Sequence, residues 1–89
     1  MSTAPTDRQE IRGVAAAQVP AWQLMEDPDR PKDLFDRGMH RVEVYYDDTD
    51  TATLAVHKRG GTGRGAASGV GKARAAAIEW LTSTKPDQV

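Results

Sequence analysis

The sequence predicts a small two-layer α+β domain, with helices on one face of a three-stranded antiparallel sheet, in the order α-β-β-β-α. Three observations carry this. Residues 8–18 and 70–83 place apolar side chains at helical spacing. Residues 39–48 and 51–59 alternate apolar and polar around a short acidic turn, the pattern of a hairpin. A chain of 89 residues makes one domain, with a core too thin for a large parallel sheet.

Taken in order, residues 1–6 are expected to be disordered, residues 7–82 to form the domain, and residues 83–89 a flexible tail. Thr6 or Asp7 can cap the first helix, with acidic charge near its positive end. Ile11, Val14 and Ala15 form its apolar stripe, Gly13 weakens it, and Pro20 stops it. Residues 21–26, "AWQLME", suit either a strand with Trp22 and Leu24 inward or a helical turn. Residues 27–38, with two prolines and alternating charges, read as a loop with one helical turn at 32–36. In "MHRVEVYYDD" (39–48), Val42, Val44 and Tyr46 share a face. Pairing Val44 with Leu54 sets Val42 opposite Val56 and Tyr46 opposite Ala52, and keeps every apolar residue on one side. Residues 60–69, "GGTGRGAASG", read as a flexible basic connector. The last helix follows, with Val70, Ala77 and Leu81 as its stripe, widened by Ala73, Ile78 and Trp80.

Composition narrows the function. There is no cysteine, hence no disulfide and no thiolate metal site. No apolar run is long enough to span a membrane. The first ten residues carry no apolar leader, so a cytoplasmic protein is expected. Residues 1–56 hold 11 acidic and 6 basic side chains, whereas residues 57–89 hold 2 acidic and 6 basic ones. The first part is thus about −5 and the last about +4, a polarity that can mark an anion-binding face.

The stretch "GAASGVGKA" (65–73) resembles a damaged phosphate loop. The G-x-x-x-x-G-K-[ST] pattern is met by Gly71 and Lys72, but Ala66 and Ala73 stand where its first glycine and its Mg²⁺-holding hydroxyl belong. A nucleotide hydrolase is excluded. An anion site is still expected, because cations and accessible glycine amides gather at a helix N-terminus. Its candidate residues are Arg59, Arg64, Ser68, Lys72 and Arg74. No acidic residue lies between Asp50 and Glu79 to offset them.

The element order, with a glycine-rich loop before the last helix, resembles the double-stranded-RNA-binding domain. That family writes G-x-G-x-S-K-K-x-A-K-x-x-A-A there. "GRGAASGVGKARAA" supplies Gly63, Gly65, Lys72, Ala75 and Ala76 at matching places, and "PAWQLME" resembles its first strand. The likeness spans roughly residues 7–82. It implies an α-β-β-β-α fold and contact with duplex phosphates. The family's paired lysines fall on Ser68 and Gly69, and its G-P-x-H loop has no counterpart; the acidic stretch 27–40 stands in its place.

Two functions follow. The first is a non-enzymatic module gripping the backbone of duplex RNA or DNA through the basic loop and the last helix's N-terminus. It would read shape more than sequence. The second is a protein-interaction or inhibitory module that sets Asp27, Asp29, Asp33, Asp36, Asp47 and Asp48 against a basic partner. A homodimer pairing the two charged faces is a third arrangement. His40 and His57 have no companion at metal-ligand spacing, and Ser68, His57 and Asp50 carry no catalytic signature. No metal, cofactor or catalysis is expected. Trp22 and Trp80 are expected in the core, and Tyr45 on a wetter face with Arg41 and His57.

Overall fold

Five strands, not three, run antiparallel in simple sequence order, and both helices lie on one face of the sheet. The computed structural model describes residues 4–85. The helices are α1 (Asp7–Ala17) and α2 (Lys72–Ser83). The strands are β1 (Gln23–Glu26), β2 (Lys32–Arg37), β3 (His40–Tyr46), β4 (Ala52–Arg59) and β5 (Thr62–Ser68). The expected disorder of 1–6 and flexibility of 83–89 fall partly on residues 1–3 and 86–89, outside the described residues. Within them, Thr6 is engaged as a helix cap and Ser83 closes α2. No helix among the described residues is long and apolar enough to cross a membrane.

α1 begins with a capping box. The Thr6 hydroxyl accepts from the Gln9 amide, and the Gln9 side chain accepts from the Thr6 amide. Ile11 and Ala15 are its buried residues. α2 buries Ala73, Ala77 and Leu81 along one stripe, whereas Val70 precedes the helix and is 75% exposed.

The three-stranded expectation fails at two places, each for a physical reason. β2 occupies a stretch read as a loop. Its alternation is strict, but its inward side chains are Asp33, Phe35 and Arg37, so the apolar period is hidden by charge. β5 occupies the stretch read as a connector. Glycines and alanines give it no strand signal of their own, and pairing with β4 supplies its order. The ambiguous residues 21–26 resolve as β1, an edge strand on β2.

The hairpin register is right at its tip and wrong beyond it. Tyr46 faces Ala52, but Tyr45 faces Leu54, so Thr53 is an extra residue in β4. Val44 then faces Ala55 and Val42 faces His57. Leu54 and Val56 turn to the open face, opposite Tyr45 and Glu43. The bulge places Ala52 and Ala55 beneath the helices, where they share a fully buried core with Ala73, Ala77, Phe35, Val42 and Val44. Small side chains from both layers allow α2 to lie close on β4.

The turns use left-handed backbone. Gly60 and Gly61 both have positive φ between β4 and β5, as a two-residue hairpin turn requires. A Cβ on Gly60 would also meet the Met39 methyl at 2.9 Å. Trp22 fastens the far end of the fold: its Nε1 donates to the Leu81 carbonyl (3.0 Å), and the Arg37 guanidinium stacks 4.4 Å above its ring. Arg37 also donates to the Pro20 and Thr84 carbonyls, tying off the C-terminal ends of both helices.

Phe35→Ala is expected to cost about 3–5 kcal/mol and leave the domain largely unfolded in denaturant titrations at room temperature. Gly13 has no atom within 4 Å of a Cβ position and no positive φ. Gly13→Ala should therefore raise stability by up to about 1 kcal/mol, read as a higher thermal midpoint.

Candidate functional site

The residues expected to bind an anion do not converge on one point. Arg59 and Thr62 pair at one end of the β4–β5 ladder, and Leu54 and Ser68 at the other. Seven strand residues span about 20 Å. The candidates therefore lie along an edge: Arg59 and Arg64 at one end, Ser68 and Lys72 at the other. Arg64 is itself a bulge, since His57 faces Gly65 and Lys58 faces Gly63. The positions matched to the paired lysines, Ser68 and Gly69, end β5 rather than sit in a free loop. The Gly69 amide donates to Thr53's carbonyl at 2.9 Å.

Arg74 leaves the set. Its guanidinium pairs with Glu10 and approaches Asp7 at 3.7 Å, both in the first turn of α1. The acid missing around Arg74 in the sequence is supplied across space, and the Glu10 bonds raise the pKa of Arg74. Arg64 and Lys72, by contrast, are exposed and pair with no acidic side chain among the described residues. α2 has no side-chain N-cap and no acid in its first turn.

The acidic set is spent more thoroughly. Asp33 is fully buried and faces the helices, so it contacts no partner. Arg12 holds both of its oxygens at 2.8 Å, and Arg8 holds both at 3.0 and 3.4 Å. Burial opposes ionisation of Asp33, but the Arg12 and Arg8 bonds outweigh it and bring its pKa below the usual value. Asp36 is bound by Arg41 through two bonds. Asp27 accepts the Asp29 amide and lies 3.9 Å from Lys32. Asp47 caps its own turn, accepting from the Thr49 hydroxyl and the Thr49 and Thr51 amides, which lowers its pKa. Asp29 and Asp48 remain exposed.

The face of the sheet away from the helices is likewise self-satisfied. Glu43, only 7% exposed, accepts from Lys58 (2.9 Å) and from the Tyr45 hydroxyl (3.1 Å). Burial disfavours its charge, yet these bonds leave its pKa lowered. Lys32 lies 5.2 Å over the Tyr45 ring. A hollow of about 310 Å³ there is lined by Asp36, Arg41, Glu43 and Lys58 among others, and their charges are satisfied by one another.

Trp22 is buried as expected, and Trp80 is half-buried over Gly65. His57 does not share Tyr45's face; the bulge turns it toward the helices, where it meets His40 and Trp80. Sequence reasoning missed this contact because it depends on the one-residue register change. Comparison of the chain with protein-family models, with curated proteins and with solved structures gives no match.

Asp33→Ala should cost about 3 kcal/mol, because it empties a buried position and removes the partner that two guanidiniums share, and denaturant unfolding measures it. The pH dependence has a definite sign. Asp33's folded pKa is lowered, so its contribution is complete above the unfolded carboxylate value near ~4 and is lost as pH falls through the folded one. Acid unfolding below about pH 4 should be steeper in the native chain than in Asp33→Asn.

Proposed function

We propose that the chain is a small non-enzymatic binding module that holds the phosphate backbone of nucleic acid along the β5 edge and the entry of α2. One observation carries this reading. Within the acid-free run between Asp50 and Glu79, β5 and the entry of α2 present Arg64 and Lys72, which pair with no acid among the described residues. Arg8, Arg12, Lys32, Arg41, Lys58 and Arg74 each have an acidic partner. Exposed cations with no acidic partner are where a polyanion gains most by displacing counterions.

The backbone of the edge supports the same reading. As an outer strand, β5 leaves one side of its ladder unpaired. Gly63 has no positive φ and nothing within 4 Å of a Cβ position, so its own fold does not require glycine. A glycine in such a strand lets another backbone approach closely. Ser68 adds an exposed hydroxyl at the α2 end. The acidic surface is the less supported alternative, because Asp33 is buried and Asp27, Asp36 and Asp47 are engaged internally.

Fluorescence anisotropy with labelled 20-bp RNA and DNA duplexes and a single strand tests the proposal. Few cations are free, so affinity should be modest, and log K should fall with log salt at a slope near −2. Arg64→Glu with Lys72→Glu should abolish binding without shifting the thermal midpoint. Absence of binding at low salt, or binding indifferent to this double variant, would overturn it.

A further inference from the structure

β1 and β5 are the outer strands of the sheet, and each leaves one side of its ladder unpaired among the described residues. The β5 edge carries Arg64 at its bulge, and a charge at a bulge is a device that keeps a second strand off. β1 has neither protection. Its register with β2 runs without a shift from Gln23↔Asp36 to Glu26↔Asp33, and it holds no lysine, arginine or proline. Its one charge, Glu26, is held by Arg12 at 2.6 Å. All four of its residues are exposed, Leu24 by 39% and Met25 by 50%. An edge of this kind is open to strand pairing.

The direction of the β1 backbone groups follows from its flanks. The Asp27 amide donates to the Lys32 carbonyl at the start of β2 (3.5 Å). Backbone groups alternate along a strand, so Gln23 and Met25 also turn toward β2. Leu24 and Glu26 then aim their N–H and C=O groups at the free edge. Trp22 shares that direction, but its amide is taken by the Ala15 carbonyl (3.1 Å). Side chains alternate as well. Leu24 is paired with Phe35 and lies on the helix side, whereas Met25 is paired with Leu34 and lies on the open side.

We propose that β1 is a contact between two copies of this chain, paired antiparallel about a two-fold axis that passes Met25 and runs normal to the sheet. The two sheets then join into one, with both helix layers on the same side. Such an axis sets only like-facing residues opposite each other, which leaves two registers centred within the exposed strand. One centres on Leu24 and needs the Trp22 amide, which Ala15 already holds. The other centres on Met25 and sets Leu24 opposite Glu26 of the second copy, twice over. It makes four backbone hydrogen bonds from the groups that face the edge. The side chains match in that register. Met25 meets its own copy on the open side, one adaptable apolar side chain against another. The Gln23 amide faces Asp27 of the second copy, whose carboxylate accepts. This self-complementarity assigns the edge to a second copy. The inference does not depend on what β5 binds, because both β5 edges stay free at the ends of the joined sheet.

Sedimentation equilibrium of the full chain decides it. Four residues a side make a small contact, so the dimer should be weak, with its population rising with concentration up to about 1 mM. Met25→Lys and Met25→Glu each set like charges opposite each other and should leave a monomer. Mixed in equal amounts, the two variants should recover the dimer, because opposite charges then face each other. Both should keep the native circular dichroism spectrum, since Met25 is half-exposed. A second readout needs no variant. In the native chain the Leu24 and Glu26 amides should exchange with solvent more slowly as concentration rises, and the Arg64 amide should not. A chain that stays monomeric at every concentration would overturn the proposal, as would a dimer that persists in both variants. Folded variants that fail to associate when mixed would do the same.

Discussion

The Asp33 carboxylate sets how this domain is assembled. It is fully buried on β2 and receives Arg8 and Arg12 from α1. Arg8 continues to Asp50, whose carbonyl also accepts the Arg8 amide, and Arg12 continues to Glu26 on β1. One helix is thereby tied to two strands and to the β3–β4 turn. α1 buries little apolar surface, chiefly Ile11 and Ala15, so hydrophobic packing alone would fix its position weakly. A buried carboxylate with two guanidinium partners adds direction: it is satisfied in one placement of the helix and costly in others. Asp7 adds to this by accepting the Ala52 amide at 2.9 Å.

Charge pairing also explains how a thin domain leaves one sheet face uncovered. The open side carries Leu34, Leu54 and Val56, which the helices never reach. On the same side Lys58 pairs with Glu43, Arg41 with Asp36, and Lys32 lies 3.9 Å from Asp27. The same economy neutralises most of the charge polarity along the chain. Arg64 and Lys72 stay outside it, on β5 and at the entry of α2.

The parts of the fold visible in the sequence are those where local pattern and tertiary burial agree. α1 and α2 follow helical spacing, and Val42, Val44 and Tyr46 alternate cleanly. β2 was hidden because two of its three inward residues are charged, and their partners on α1 and at the helix ends are remote in sequence. β5 was hidden because strand character there is imposed by β4 and not by its own glycines and alanines. The register failed at Thr53 because alternation rewards burying Leu54 and Val56, whereas close approach of α2 requires alanines. The candidate site suffered similarly. Arg74 looked free because no acid lies near it before Glu79, and Asp33 because its alternating-charge stretch read as a surface loop, yet Glu10 and Arg12 pair with them in space. Arg64 and Lys72 stay exposed, with no acidic side chain paired to them among the described residues.

α1 and α2 are neighbours although they are the first and last elements of the chain, and the Arg74–Glu10 contact spans 64 residues. The hairpins between them are local, whereas the pairing of the two helices is not, so the helix contact forms after the hairpins. During synthesis, the apolar side of the sheet therefore stays open until the final helix has left the ribosome. The stripe of Ala73, Ala77 and Leu81 then completes the core in one late, cooperative step. A chain interrupted between β3 and α2 would leave Phe35, Val42 and Val44 without the stripe that covers them and behave as an aggregation-prone fragment rather than a smaller domain.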